Sequence, residues 1–127
     1  MLFRSVLKNL REIYKGKIIA VFEPNIGNRT TQSKPSYAKA FKDADEIVIP
    51  HLSKLKIDEK KPQASFEGDE LAKTISKTQK NVRYIEDDAK LVEYIIQDRG
   101  DKDVIAFLGS HGFRGMIEET VKRLAKA

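Results

Sequence analysis

The sequence predicts an α/β fold: a Rossmann-like three-layer domain with a mostly parallel sheet covered by helices on both faces. Two observations carry this prediction. Short runs of β-branched and aromatic residues alternate with longer stretches whose apolar residues recur every three or four positions. The 127 residues also suffice for one such domain and are too few for two ordinary ones. Because strands that alternate with helices pair in parallel through right-handed crossovers, one doubly covered sheet is expected.

Four short apolar runs are predicted to be strands, and they are continuous rather than alternating, as is typical of strands buried on both faces. They cover residues 17–22 (KIIAVF), 46–49 (EIVI), 82–85 (VRYI) and 103–108 (DVIAFL). Ligands of parallel sheets collect outside the carboxyl ends of the strands. The loops at that edge are expected to begin at Glu23, Pro50, Glu86 and Gly109.

Five segments have the spacing of amphipathic helices. The first covers residues 2–14, and Gly16 follows at the place of a left-handed C-cap. The second has Pro35 in its first turn and ends near Ala44. The third starts at residues 68–69, the fourth is capped by Asp87 and ends before residue 100, and the fifth follows residue 115. Residues 51–66 have weak periodicity and many lysines, which predicts a mobile surface loop.

The composition excludes several classes of protein. With 40% hydrophobic and 34% charged residues and no apolar run near the roughly 20 residues that span a bilayer, a soluble globular domain without a membrane partner is expected. The absence of cysteine excludes disulfides, thiolate zinc sites and cysteine nucleophiles, and His51 and His111 are the only imidazoles, so no metal site is expected. The first ten residues lack the features of a signal peptide, which favours a cytoplasmic location.

The formal charge of +5 raises the question of nucleic-acid binding. The lysines and arginines are spread among 19 acidic residues instead of being clustered on one segment. A solvated surface is therefore the favoured interpretation, with no nucleic-acid partner expected and nucleic-acid affinity kept as a minor hypothesis.

The loop at residues 23–32 (EPNIGNRTTQ) is the first candidate for function. Arg29 stands there among small polar residues, between a buried strand and a helix. An arginine at this place can bind a carboxylate or phosphate through its two-pronged guanidinium, and the amides of a helix start add donors. A solvated arginine, or one that caps a neighbouring helix, is the equally weighted alternative.

The loop at residues 109–115 (GSHGFRG) is the second candidate. Its three glycines would let the backbone approach a ligand closely, or would simply permit a tight turn between strand and helix. His111 is either a partly exposed loop residue or a hydrogen-bond partner of a substrate. Glu23, Asp87 and Asp88 could form a carboxylate group at the same edge, although capping and solvation also explain acidic residues at helix starts.

Motifs specific for dinucleotide binding, ATP binding or a serine hydrolase are absent from the sequence. GSHGFRG does not have the spacing of a dinucleotide-binding loop, and no G-x-x-x-x-G-K-[ST] phosphate loop occurs, so the chain has no recognisable ATP site. Ser110 is preceded two residues earlier by Leu108, where a nucleophile elbow requires glycine, which argues against a serine hydrolase.

The two candidate loops carry a family resemblance. The segment GKIIAVFEPNIGNRTTQSKPSYAKAFKDADEIVI resembles the C-terminal domain of the Mur ligases, with its strand, F-[EQ]-P, a polar loop with S-R-T, a helix ending A-F-x-x-A-D and a second strand. The loop GSHGFRGM resembles the S-N-G-G-F-G-G-I of the branch that recycles a tripeptide, and the alanine-adding branch is the second choice. This resemblance covers nearly the whole chain.

The resemblance implies an ATP-dependent ligase that joins an amino acid or peptide to UDP-N-acetylmuramate in peptidoglycan synthesis or recycling. It implies that this domain positions the incoming amine substrate, works with a UDP-sugar-binding and an ATP-binding domain as partners, and is inactive alone. It needs no cofactor itself, whereas the intact ligase uses ATP and Mg²⁺. Residues expected to line the substrate site are Asn25, Asn28, Arg29, Thr30, Ser110, His111 and Gly112.

The sequence departs from the family pattern at three places. Asn25 and Ile26 stand where relatives often have basic residues, and Arg114 replaces a glycine of the recycling branch. The A-H-x-P segment that precedes the first helix is missing, so the chain is expected to be a single domain, residues 1–127, without its first strand. A stand-alone interaction or regulatory module on the same scaffold is the alternative function, because a fold does not dictate one activity.

Overall fold

The structure, a computed structural model, describes residues 2–23, 41–52, 68–109 and 112–126. In these ranges four strands form one sheet in the order β3-β2-β1-β4. Their bounds are Ile18–Phe22 for β1, Glu46–Pro50 for β2, Val82–Ile85 for β3 and Val104–Leu108 for β4. Every neighbouring pair is parallel. The carboxyl ends of all four strands therefore lie along one edge, as the sequence predicts.

Four helices flank the sheet in the described part of the chain. They are α1 at Leu2–Ile13, α2 at Gly68–Ile75, α3 at Asp88–Asp98 and α4 at Met116–Ala125. A short 3-10 turn at Phe113–Gly115 leads into α4. Asp87 caps α3, since its carboxylate accepts a hydrogen bond of 3.0 Å from the Lys90 amide, which confirms the predicted cap.

The core has two halves, one on each face of the sheet. On one face, Leu7 of α1 and Leu71 of α2 pack with alternate strand residues such as Ala20 and Ile47. On the other face, residues of α3 and α4 pack with the intervening strand residues. Because β1 and β2 are covered on both faces, all their residues are buried, which is why their sequences are continuously apolar. The three-layer α/β fold is confirmed.

The predicted element bounds need few changes. The strands predicted at residues 17–22 and 103–108 begin one residue later, and the strand predicted at 46–49 extends to Pro50. Most of the predicted helix from Pro35 to Ala44 lies outside the described residues, and residues 41–43 form a turn. The loop predicted at residues 51–66 likewise lies outside them, except for its first two residues.

The predicted left-handed C-cap at Gly16 is wrong. Gly115 is the glycine with positive φ in the described ranges, and Gly16 does not have one. Gly16 is needed for a different reason, since a Cβ atom at this position would lie 2.1 Å from the Lys102 carbonyl oxygen. The glycine thus permits close approach of two backbone segments. Helix α1 is instead tied to the sheet by Arg11, whose Nη2 donates to the Asp45 carboxylate.

None of the described helices is both long enough and apolar enough to cross a membrane.

Candidate functional site

The carboxyl edge of the sheet, hereafter the rim, brings together the ends of all four strands. Glu23 follows β1, His51 follows β2, Glu86 follows β3 and Gly109 follows β4. Strands β1 and β4 stay paired up to this edge, because the Glu23 amide donates to the Leu108 carbonyl at 3.1 Å. The loops with predicted function therefore depart from a hydrogen-bonded border of the sheet.

Arg114 is the side chain that connects the rim. Its Nε and Nη2 donate to the two carboxylate oxygens of Asp88, both at 2.8 Å. Its Nη2 also donates to the His51 carbonyl at 2.7 Å, and its Nη1 lies 3.5 Å from Oε1 of Glu23. Hydrogen bonding to Asp88 is the main cause that raises the pKa of Arg114 above its usual value. One guanidinium thus contacts residues that follow β1 and β2 and the first turn of α3.

Glu23 is an unusual residue for this position because only 1% of it is exposed. A carboxylate is stable inside a protein only when charges or hydrogen-bond donors compensate for its lost hydration. Arg114 supplies such a charge from the start of the last helix. The F-E-P motif of the sequence therefore ends β1 with a buried acid, whereas the exposed Glu86 ends β3.

The glycines of the 109–115 loop serve different purposes. A Cβ at Gly109 would lie 2.7 Å from the Glu23 carbonyl oxygen and 3.0 Å from the Phe113 ring. Gly112 has nothing within 4 Å of such an atom and has φ −78°. Gly115 has φ +84°, which favours glycine. Close approach and turn geometry thus both require glycine in this loop, one at each end.

Replacing Gly109 by alanine should destabilise the domain by about 1–3 kcal/mol, because the new methyl group overlaps a backbone oxygen and a buried ring. Gly112→Ala is the matched control in the same loop. It should leave stability unchanged or raise it by about 0.5 kcal/mol, since the space is open and φ is negative. Urea unfolding of both variants measures the difference. Equal stability of the two would contradict the geometry described for this loop.

The structure places Gly112 in the loop that follows β4. The other predicted site residues lie outside the described residues, and their roles stay predictions: Asn25, Asn28, Arg29, Thr30, Ser110 and His111. The proposed carboxylate group of Glu23, Asp87 and Asp88 is divided by the structure. Asp87 caps α3, whereas Asp88 and Glu23 both contact Arg114.

Sequence reasoning missed the role of Arg114 and treated it only as a departure from a glycine. A signal was present, because a single cation stands in a loop of small residues and an Asp pair stands at the start of a helix. Only the parallel order of the strands shows that these two segments meet at the rim.

A second polar cluster lies at the opposite, amino edge of the sheet, around an open cleft of about 690 Å³. The Nζ of Lys17 lies 2.8 Å from Oδ2 of Asp98 and 3.9 Å from Oε2 of Glu46. The Tyr94 hydroxyl donates to Oε1 of Glu46. The Arg83 guanidinium stacks over the Tyr94 ring at 5.0 Å, a favourable cation–π contact. The charges and hydrogen bonds of these groups compensate one another. Their contacts connect α3 to β2, β3 and the residue before β1.

The pKa values of the two carboxyl groups in this cluster are shifted in opposite directions. Burial is the first cause that raises the pKa of Glu46, and a hydrogen bond with Asp98 acts in the same direction. The hydrogen bonds with Glu46 and Lys17 lower the pKa of Asp98. Burial, followed by the hydrogen bond to Glu46, raises the pKa of Tyr94 to about 12. Glu46 is therefore the more readily protonated of the two carboxyl groups.

The raised pKa of Glu46 predicts the sign of a pH effect on stability. The folded protein holds this proton more tightly than the unfolded chain, whose glutamate has its ordinary pKa of 4.5. The stability that the proton contributes is complete below about pH 4.5 and is lost as the pH rises through the folded pKa. Replacing Glu46 by glutamine should abolish this decrease in the free energy of unfolding.

Urea unfolding across pH 4 to 8 measures that change for the wild type and for Glu46→Gln. The exposed Glu86→Gln is the control and should keep the pH profile of the wild type. A Glu46→Gln profile that falls as steeply as the wild type with rising pH would show that Glu46 does not cause the effect.

Two features of an ATP or metal site can be checked at the rim. The sequence has no phosphate loop. Within the described ranges, no group of three or more His, Cys, Asp or Glu side chains is arranged to hold a metal ion. What the rim does offer is a fixed border with strand-end loops that can position a ligand.

Comparison with known proteins identifies relatives over most of the chain. The family model described as "Mur ligase, glutamate ligase domain" matches residues 3–111. UDP-N-acetylmuramate–L-alanine ligase of Brachyspira hyodysenteriae is 28% identical over 122 residues, which cover 95% of this chain and 26% of that protein. The ligase of the same name from Caldanaerobacter subterraneus subsp. tengcongensis is 29% identical over 94 residues, or 74% of this chain and 20% of that protein. The chain thus spans about a quarter of the length of these curated relatives.

Two solved structures share the fold. The murein peptide ligase of Psychrobacter arcticus superposes with a TM-score of 0.73 at 14% identity, covering 98% of this chain and 25% of that one. A domain of a UDP-N-acetylmuramate:L-alanyl-gamma-D-glutamyl-meso-diaminopimelate ligase from Haemophilus ducreyi gives a TM-score of 0.66 at 18% identity, covering 97% and 81%. At these identities the two structures show a shared fold.

Proposed function

Because the chain belongs to the Mur ligase family, as a glutamate ligase domain, we propose that it positions the incoming amine substrate of an ATP-dependent ligase. That ligase joins an amino acid or a peptide to UDP-N-acetylmuramate in peptidoglycan synthesis or recycling. The match of the family model to residues 3–111 is the observation that carries the proposal. L-Alanine is the first acceptor to test, since it is the amine in the names of the curated relatives.

The geometry of the rim supports a positioning role. All strand ends and the two loops with family motifs leave the sheet at one edge, which is where parallel sheets bind ligands. Arg29 would pair with the carboxylate of the acceptor through its guanidinium, while Ser110, His111 and Gly112 would border the pocket. Asn25, Asn28 and Thr30 would add polar contacts from the first loop. Holding the amine in an attacking orientation prepays entropy and lowers the barrier without any proton transfer by this domain.

ATP and Mg²⁺ belong to other domains in this proposal, as the family resemblance implies, and the sequence has no phosphate loop. The domain would act together with a UDP-sugar-binding domain and an ATP-binding domain, and would be inactive alone. The ATP-binding domain would activate the muramoyl carboxylate. This chain would present the amine that attacks it.

Reconstitution tests the proposal. The chain is mixed with the UDP-sugar-binding and ATP-binding domains of its ligase, UDP-N-acetylmuramate, ATP, Mg²⁺ and isotope-labelled L-alanine, and the amide product is measured by mass spectrometry. Product should form only when all domains are present, and the chain alone should neither consume ATP nor bind it tightly. Product formation that does not depend on the chain would contradict the proposal and favour a stand-alone interaction or regulatory module.

A further inference from the structure

We propose that Arg114 is a positioning residue, which holds the turn at residues 112–115 in a single shape so that its backbone presents a fixed surface to the acceptor. This inference rests on the proposed function for its purpose. Its structural basis is independent of that function, because it comes from the backbone of the loop and from the contacts of one guanidinium.

The backbone of the loop is strained where it turns into α4. Phe113 and Arg114 have φ values of +53° and +51°, and Gly115 follows with +84°. This left-handed region is unfavourable for any residue other than glycine. Local backbone preference alone would not favour two such residues in succession. Tertiary contacts must therefore hold the turn.

Two side chains supply those contacts. Phe113 is only 2% exposed and packs edge-on against Phe107 of β4, with 5.2 Å between the ring centroids. Arg114 makes the paired hydrogen bonds to Asp88, donates to the His51 carbonyl and faces Glu23. Bidentate, charge-assisted hydrogen bonds of this kind are strong and orientation-specific. Phe113 thus holds the turn against the core, and Arg114 holds it to the three rim segments that contain these partners.

The contacts of Arg114 indicate that it acts through the loop and not on the acceptor itself. Its Nε, Nη1 and Nη2 are all directed at protein acceptors. Lysine could supply the charge but not the two parallel hydrogen bonds to Asp88. Glycine would adopt the same φ at no cost but would make none of these side-chain contacts. Arginine at this position therefore has an unfavourable φ, but its side-chain contacts restrict the movement of the turn.

Four variants separate contact from strain. Arg114→Gly removes the contacts and the strain, Arg114→Ala removes the contacts only, and Asp88→Asn weakens the bidentate pair without altering the loop sequence. Arg123→Ala is the matched control, because Arg123 pairs with Glu119 along the exposed face of α4, away from the rim. Three readouts are taken on the whole chain. The first two are the melting temperature and amide hydrogen exchange at Gly115 and Met116, whose amides donate to the carbonyls of Gly112 and Phe113. The third is the dissociation constant for L-alanine from NMR titration.

Amide exchange in the loop should accelerate by roughly tenfold or more in both Arg114 variants and in Asp88→Asn, while Arg123→Ala leaves it unchanged. The dissociation constant for L-alanine should rise by roughly tenfold in Arg114→Gly, although this variant keeps the melting temperature within a few degrees of the wild type. A role limited to folding would change the melting temperature and leave the affinity of the folded protein unaltered.

Three results would overturn the inference in distinguishable ways. Unchanged loop exchange in Arg114→Gly shows that the arginine does not fasten the turn. Faster exchange with unchanged L-alanine affinity shows that the fastening has no role in binding, while the proposed function stands. Absence of L-alanine binding by the wild type, with the diaminopimelate-containing tripeptide also failing to bind, overturns the proposed function and the positioning role together.

Discussion

Replacing Arg29 by alanine in the assembled ligase is expected to lower kcat/KM for the amine substrate by an amount equivalent to about 2–4 kcal/mol. The reason is that a guanidinium paired with the acceptor carboxylate in a partly dry pocket leaves that anion uncompensated when it is removed. Arg29→Lys should lose much of the same activity, because it keeps the charge but not the two-pronged geometry. Steady-state kinetics with the amine and ATP varied separately measure the effect, and the dependence on ATP should change little.

The melting temperature of the isolated domain distinguishes a binding role of Arg29 from a structural one. An exposed loop arginine contributes little to folding, so Arg29→Ala should melt within a few degrees of the wild type. Unfolding of the variant domain, or full activity of the variant ligase, would show that Arg29 is a structural cap and that the function assigned to its loop is wrong.

Replacing Phe22 by alanine is expected to destabilise the domain by about 3–5 kcal/mol, a large part of the stability of an ordinary domain. Phe22 is the last residue of the central strand β1 and is fully buried. Its ring centroid lies 4.7 Å from the ring centroid of Phe41. Alanine would leave a cavity between the sheet and the segment at residue 41. The melting temperature should fall by on the order of 10 °C or more.

Tyr14→Ala is the matched control for that aromatic deletion, because Tyr14 is 45% exposed. It should change the free energy of unfolding by no more than about 0.5–1 kcal/mol. If both variants unfold at the same urea concentration, the assignment of Phe22 to the core is wrong. Strand β1 positions Glu23 at the rim, so Phe22→Ala should also disturb the site.

The sheet was predictable from the sequence because its strands are buried on both faces. A continuously apolar run such as IIAVF is typical of a strand buried on both faces. The glycines, prolines and caps between such runs locate the ends of the strands and helices to within one or two residues. The parallel direction followed from the helices between the strands. The left-handed cap at Gly16 failed because glycine serves close approach as well as positive φ, and sequence alone does not separate the two uses.

The candidate site was predictable only as a place. Parallel topology puts the strand-end loops at one edge, and the family motifs fall in those loops. The contacts across the rim were not predictable, since Glu23, Asp88 and Arg114 are far apart in sequence and each has a local explanation by itself. The same holds at the opposite edge, where Lys17 and Asp98 pair across most of the chain.

Chemical-shift mapping with L-alanine tests most directly the claim that the acceptor binds at the rim. The ¹⁵N-labelled chain is titrated, and the amides of Glu23, Gly109, Gly112 and Gly115 are compared with those of Lys17, Asn81 and Asp103 at the amino edge. Saturable shifts are expected at the rim amides and none at the amino edge. Saturable shifts at the amino edge with an unperturbed rim would contradict this claim.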